Sequence, residues 1–334
     1  MAGAAISWRR GARSRSLSLV GLFQRLIRFF RGEGVPKGTQ AAAKGTQVGP
    51  PQPARPERQL PARKPTPPFP GDPRLDQVAH GVREATKTPA IYLVPTTGKP
   101  TLAGDKLGGF PLLDARGVPQ HSDGYLSLLA QIDLAGLPHH LQWLPERGLL
   151  QIFVGTDPQF GRQISPLVRL AVKPASIGQK AESRTHELYE EAMAGANFAA
   201  DGEVSVRPRA GYEYISPSEA GFAKCYVDEY NKVFADQPIS GLEELRQYGI
   251  YDEVVNTFPL NTAPRLGGRA DWCQHEPAQT GTHVLFACGG GQLRTATSVV
   301  DLLGANTQRA GAVTVTDTDT FADATWWWAQ PDED

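Results

Sequence analysis

A glycine phrase occurs twice in this chain, and it limits the fold more than any other feature. Lys106-Leu107-Gly108-Gly109 returns as Arg265-Leu266-Gly267-Gly268. After each copy come a glutamine (Gln131, Gln274), a strand pattern and a late glycine-led strand, Gly148 to Phe153 and Gly311 to Thr316. Each late strand leads to an aspartate and a phenylalanine, Asp157 and Phe160 in the first copy, Asp319 and Phe321 in the second. So many features recurring in one order predict an internal duplication. The paired glycines mark backbone that needs positive φ or close approach of another chain segment.

Between and within the copies the pattern alternates between strand and helix. Ala90 to Pro95, Leu126 to Leu134, Gly148 to Val154 and Leu167 to Lys173 are short β-rich runs bounded by glycine and proline, so the first half reads as mainly β. In the run Leu126 to Leu134, Gln131 and Asp133 share one face of a regular strand. A helix is predicted from about Glu182 to Ala200. Ser216-Pro217-Ser218-Glu219 has the form of a capping box. Phe222, Tyr226, Tyr230 and Phe234 follow at helical spacing as a buried stripe, and Ser240 to Glu243 opens a further helix to about Phe258. The predicted class is α+β: internally duplicated, mainly antiparallel sheets with helices inserted between the halves and a disordered N-terminal region. The pseudo-repeats span about 90–175 and 259–330, and the helical insert 180–258.

Proline and charge divide off the N-terminal part. Of the 28 prolines, eleven lie between Pro36 and Pro73. Residues 33–74 hold too little apolar surface to offset the entropy of ordering, so a disordered linker is expected before a globular domain over 75–334. Residues 1–32 carry seven arginines and no Asp, Glu or Lys. Leu17, Leu19, Val20, Leu22, Phe23, Leu26, Ile27, Phe29 and Phe30 alternate with Gln24, Arg25, Arg28 and Arg31 as in a basic amphipathic helix over 16–31. An anionic membrane surface, an organelle-targeting segment, a partner-binding tail and an upstream start site are the open alternatives. No apolar run reaches the ~18 to 20 residues that span a bilayer. The formal charge of −1 disfavours a nucleic-acid binder, so no nucleic acid is expected.

The densest group of chemically capable side chains is Asp271, Cys273, His275, Glu276, His283 and Cys288. Its spacing matches no pattern with a geometric rationale for zinc, and Cys288 ends an apolar run as a small core residue would. Cys273, His275, His283 and Cys288 stand as the metal alternative. Gly289-Gly290-Gly291 follows a strand and precedes a possible helix from Thr297 to Leu303, but lacks a phosphate-binding fingerprint. His139 and His140 fall in a loop. Trp326-Trp327-Trp328 reads as a strand with Trp327 facing away from its neighbours. Three scattered cysteines do not form a disulfide framework, which fits a reducing cytosol.

Lys106 to Pro111, Leu129-Ala-Gln-Ile-Asp-Leu-Ala-Gly-Leu-Pro138, Leu144 to Phe153 and Arg265 to Gly268 with Gln274 beyond resemble the YwqG-like family of bacterial proteins, over roughly Ala90 to Ala329. This chain departs from the pattern where Arg269 and Ala270 replace a tyrosine and proline, and where His283 to Cys288 enters three glycines instead of Gln-x-Asp. The resemblance implies a non-enzymatic α+β protein, and members in toxin-and-immunity neighbourhoods imply partner binding. The expectation is a cytoplasmic protein-binding module of immunity type, partnered with a toxin encoded nearby and perched on the inner membrane surface, with no cofactor. Its candidate binding residues are Lys106, Gly108, Gly109, Gln131, Asp133, Arg265, Gly267, Gly268, Gln274 and Trp327. The alternative is a metal-binding protein or hydrolase using the Cys/His cluster.

Overall fold

Runs of Leu, Ile, Val and Phe broken by glycine favour strands, and they form them. In the computed structural model these are β1 (Thr88–Pro95), β2 (Lys106–Gly108), β3 (Gln120–His121), β4 (Gly124–Asp133), β5 (Leu149–Gly155), β6 (Leu167–Ala171), β7 (Ala200–Glu213), β8 (Arg265–Gly267), β9 (His283–Gly289), β10 (Gly291–Arg294), β11 (Val299–Leu302), β12 (Ala310–Val315) and β13 (Thr325–Ala329). The structure describes residues 66–122, 124–138, 141–156, 166–259, 261–269, 282–303 and 310–329, all within the unit Arg63–Asp334. The amphipathic segment 16–31, the linker up to residue 65, Asp157, Phe160, His139, His140, Cys273, Gln274 and His275 lie outside the described residues.

The strands join one curled antiparallel sheet in the order β13-β12-β9-β8-β1-β7-β2-β4-β5-β6, with β3 on β4 and with β11 pairing both β10 and β7. β1 and β7 form its centre, from Thr88 opposite Glu213 to Pro95 opposite Val206. From this ribbon β8 leads outward on one side and β2 on the other. One face buries the main core, which includes Ile91, Leu93, Leu107, Ile132, Ile152, Val204, Leu266, Phe286 and Val313.

Helices add a second core. They are α1 (Pro73–Thr86), α2 (Gln179–Ala192), α3 (Phe222–Val233), α4 (Glu244–Gln247) and α5 (Tyr251–Asn256). The Phe222, Tyr226, Tyr230, Phe234 stripe is fully buried and packs with Leu75, Val78 and Val82 of α1. The fold is thus α+β. No helix among the described residues is long and apolar enough to cross a membrane.

Several expectations need correction. The insert 180–258 is not all helical, because β7 runs through it for 14 residues as a central strand. Its buried apolar residues are Ala200, Val204 and Val206, while Arg207 and Arg209 on the other face from the valines are exposed, so its composition hides its position. The linker ends before residue 74: Asp72 caps α1 by accepting from Arg74 N, and Pro73 opens the helix. Ser216 N does donate to Glu219 Oε1 at 2.8 Å, as in a capping box, yet the helix starts six residues later at Phe222. The helix expected to reach Phe258 is split into α4 and α5 at Gly249, whose φ is +69°. The expected helix from Thr297 to Leu303 is replaced by β11 over Val299–Leu302.

Candidate functional site

Both glycine pairs adopt positive φ, 68° and 70° at Gly108 and Gly109, 67° and 77° at Gly267 and Gly268. Each pair ends a three-residue strand that begins with a buried cation. Lys106 is 1% exposed and Arg265 2%. Burial of a cation is costly unless its charge is paired or bonded, and the two solve this differently.

Lys106 Nζ donates to Thr101 O at 3.0 Å, and burial, opposed by Glu203 and Glu182, pulls its pKa down to about 8. Across the sheet from Lys106 stand Gln131, Gln151 and Arg169 in one row. Gln131 Nε2 donates to Leu102 O at 2.8 Å and Gly104 O at 3.1 Å, and its Oε1 accepts from Leu112 N and Gln151 Nε2. Gln151 Nε2 also reaches Leu112 O at 2.8 Å. These polar side chains tie the segment 101–112 to the sheet. Asp133, at the end of β4, accepts Lys173 Nζ at 2.6 Å, caps the 3-10 turn at Leu134–Gly136 and donates its N–H to Asp105. Burial raises the pKa of Asp105.

Arg265 donates to Asn261 O, Ala263 O and Arg269 O, and its Nε lies 3.5 Å from Glu213 Oε1. The same Glu213 oxygen accepts from Tyr92 Oη and Asn261 Nδ2. Burial first, and the Glu213 bond second, raise the Tyr92 pKa. Arg269, one of the departures noted in the sequence, grips the buried Glu219 through Nε at 2.7 Å and Nη2 at 2.5 Å.

The row across the sheet from Arg265 is Ala287, Ala312 and Trp327. Ala287 therefore stands where Gln131 stands in the other row, and Gly289 where Asp133 stands. Trp327 is half-buried against Ala287 and Ala312, with Nε1 bonded to Thr314 Oγ1 at 2.7 Å, while Trp326 turns toward the main core.

His283 and Cys288 share β9 but are separated by five residues, about 16 Å of extended chain, so they cannot hold one ion. Cys288 is buried in the main core, and burial raises its thiol pKa to about 12. His283 instead stacks on Trp143, with ring centres 4.7 Å apart and planes 17° apart. Both line a groove of about 520 Å³ with Thr88, Pro89, Gly267 and Gly268. Sequence reasoning missed Trp143, Glu213 and Asn261. Gln151 carried a signal, a polar residue inside an apolar run; the others carried none.

Residues 105–330 match the family model described as Domain of unknown function (DUF1963), which covers more than half of the chain. No curated protein matches it.

Proposed function

The chain belongs to the DUF1963 family, and we propose that within it this protein is a non-enzymatic protein-binding module of YwqG-like type. One observation carries this reading. The polar side chains at both glycine pairs are spent on internal bonds: Lys106, Gln131 and Gln151 hold the segment 101–112, and Arg265 holds 261–269. Groups so satisfied build a rigid scaffold, and recognition falls to open surface such as the groove beside Trp143.

The scaffold reads as two copies of one unit. Strands β2, β4, β5, β6 and strands β8, β9, β12, β13 follow one another outward in the same way on the two sides of the central ribbon. The leading strands are exchanged: β1 pairs β8, and β7 pairs β2. On this reading the second copy begins at β7 and not near residue 259.

The partner we infer is a toxin encoded nearby, met in the cytoplasm, with residues 16–31 holding the protein at an anionic membrane surface. Co-expression with the product of the adjacent gene tests the first part. A stable complex and rescue of growth are expected; death of cells producing both proteins rejects it. Co-sedimentation with anionic liposomes tests the second, where equal pelleting of the full chain and a variant without residues 1–32 rejects the tether.

A further inference from the structure

We infer that the groove beside Gly267 and Gly268 receives a tyrosine side chain of a protein partner. The inference deepens the protein-binding reading and rests on it, but its evidence is separate.

β4 and β9 each contain one residue left out of register with the neighbouring strand, Leu129 on β4 and Leu285 on β9. Both fall two residues before the position opposite the buried cation, Gln131 facing Lys106 and Ala287 facing Arg265. A bulge of this kind frees a backbone N–H from the ladder, and a buried N–H needs an acceptor. On β4 the freed group is Leu128 N–H, and the protein supplies the acceptor itself: Tyr189 Oη lies 2.8 Å away. Tyr189 is buried, with its ring edge-on to Phe110 at 5.9 Å, and Phe110 stacks on His186 at 4.1 Å.

On β9 the residue in the place of Leu128 is Val284, half-buried where Leu128 is fully buried and opposite Thr314 of β12, and it forms part of the groove wall. Among the described residues no side chain accepts from its N–H. An aromatic surface is nonetheless ready, the Trp143 and His283 stack, with Leu141 and Pro89 supplying apolar walls and Thr88, Gln142 and Thr282 a polar rim. A volume of about 520 Å³ is in the range of ligand sites and exceeds one aromatic ring.

The chemistry selects the occupant. It must bring a flat apolar ring to Trp143 and an acceptor oxygen to Val284 N–H. Tryptophan offers only a donor, phenylalanine neither, and lysine or arginine no acceptor. Tyrosine meets both needs and is enriched at protein interfaces.

The test is a titration of isotope-labelled full-length protein with N-acetyl-tyrosinamide, followed by NMR. Shifts at the Val284 amide and the Trp143 indole are expected, with N-acetyl-phenylalaninamide binding about fivefold more weakly, the factor carried by one neutral hydrogen bond. His283→Ala, at a half-buried site, should weaken the tyrosine probe, and it guards against misfolding of Trp143→Ala. Silent signals, equal affinity for the two probes, or unchanged binding by folded His283→Ala overturns the inference. Silence in the groove while the partner complex still forms removes the groove alone; groove binding with no partner complex removes the wider reading alone.

Discussion

Gln131 and Gln151 face each other across β4 and β5, and a 2.8 Å bond from Gln151 Nε2 to Gln131 Oε1 joins them in a fully buried layer. That bond lies at the centre of a row that fixes a long surface segment to the sheet. Side-chain amides suit the task because each offers donors and acceptors at once. The row that starts at Arg265 holds Ala287 and Ala312 instead, packed against Trp327.

Gln131→Ala should therefore be costly. It leaves Leu112 N, Leu102 O and Gly104 O without the partners they have now. With unsatisfied buried groups worth about 1–3 kcal/mol each, and some relaxation of the segment, a total loss of about 3 kcal/mol is expected in urea unfolding. The double variant with Gln151→Ala should lose less than the sum of the single losses. Strict additivity would show that the two amides do not act together.

Arg269→Ala should destabilise by about 2–4 kcal/mol, because Glu219 is nearly inaccessible and would lose the guanidinium bonded to it. Glu219→Gln in the same chain should recover part of the loss by replacing a buried carboxylate with a neutral amide. Hydrogen exchange should localise the effect to 215–222. A loss that Glu219→Gln does not reduce would mean that packing, not charge, is at stake.

The pH dependence of stability should report Lys106. Its folded pKa of about 8 lies below the ordinary 10.5 that the unfolded chain regains. Between these values the unfolded chain holds a proton that the folded one has released, so this group makes stability rise with pH across that window. Below it both states are charged, and burial of the charge costs up to about 3 kcal/mol. Lys106→Met should thus be the more stable protein at about pH 7, with the difference shrinking toward about pH 10.5. A difference that does not change with pH, measured from denaturation midpoints, would reject the argument.

Gly108→Ala and Gly267→Ala should differ although the two glycines share their φ. A methyl at Gly108 would strike the carbonyl oxygen of Gly202, which is backbone, whereas at Gly267 it first meets the end of the Leu141 side chain at 2.6 Å. The left-handed conformation alone costs a non-glycine residue about 1–2 kcal/mol. Thermal unfolding should therefore show the loss at Gly108 to be clearly larger. Equal losses would mean that conformational preference alone governs both sites.

Much of the fold was legible because local pattern and tertiary role agreed. β1, β4, β5 and β6 are apolar runs between turn residues, and the Phe222 to Phe234 stripe is a helix face that must be buried. β7 was not legible. It is central by hydrogen bonding, yet one of its faces remains open at Arg207 and Arg209, so it lacks the apolar run that marks a central strand. The capping box at Ser216 shows the converse: the local bonds form, but Gly221 and not Ser216 precedes the helix.

The amino-acid sequence by itself determined the two glycine phrases, the apolar strands β1, β4, β5 and β6 and the buried helix stripe, because these follow from backbone freedom and from the period of apolar residues. Only the tertiary structure decided that Gln131 and Arg265 are spent on their own loops, that Ala287 takes the place opposite Arg265, and that Trp143 meets His283 at an open groove. Strand register and the meeting of distant loops depend on where the whole chain closes on itself, and no local stretch of residues carries that information.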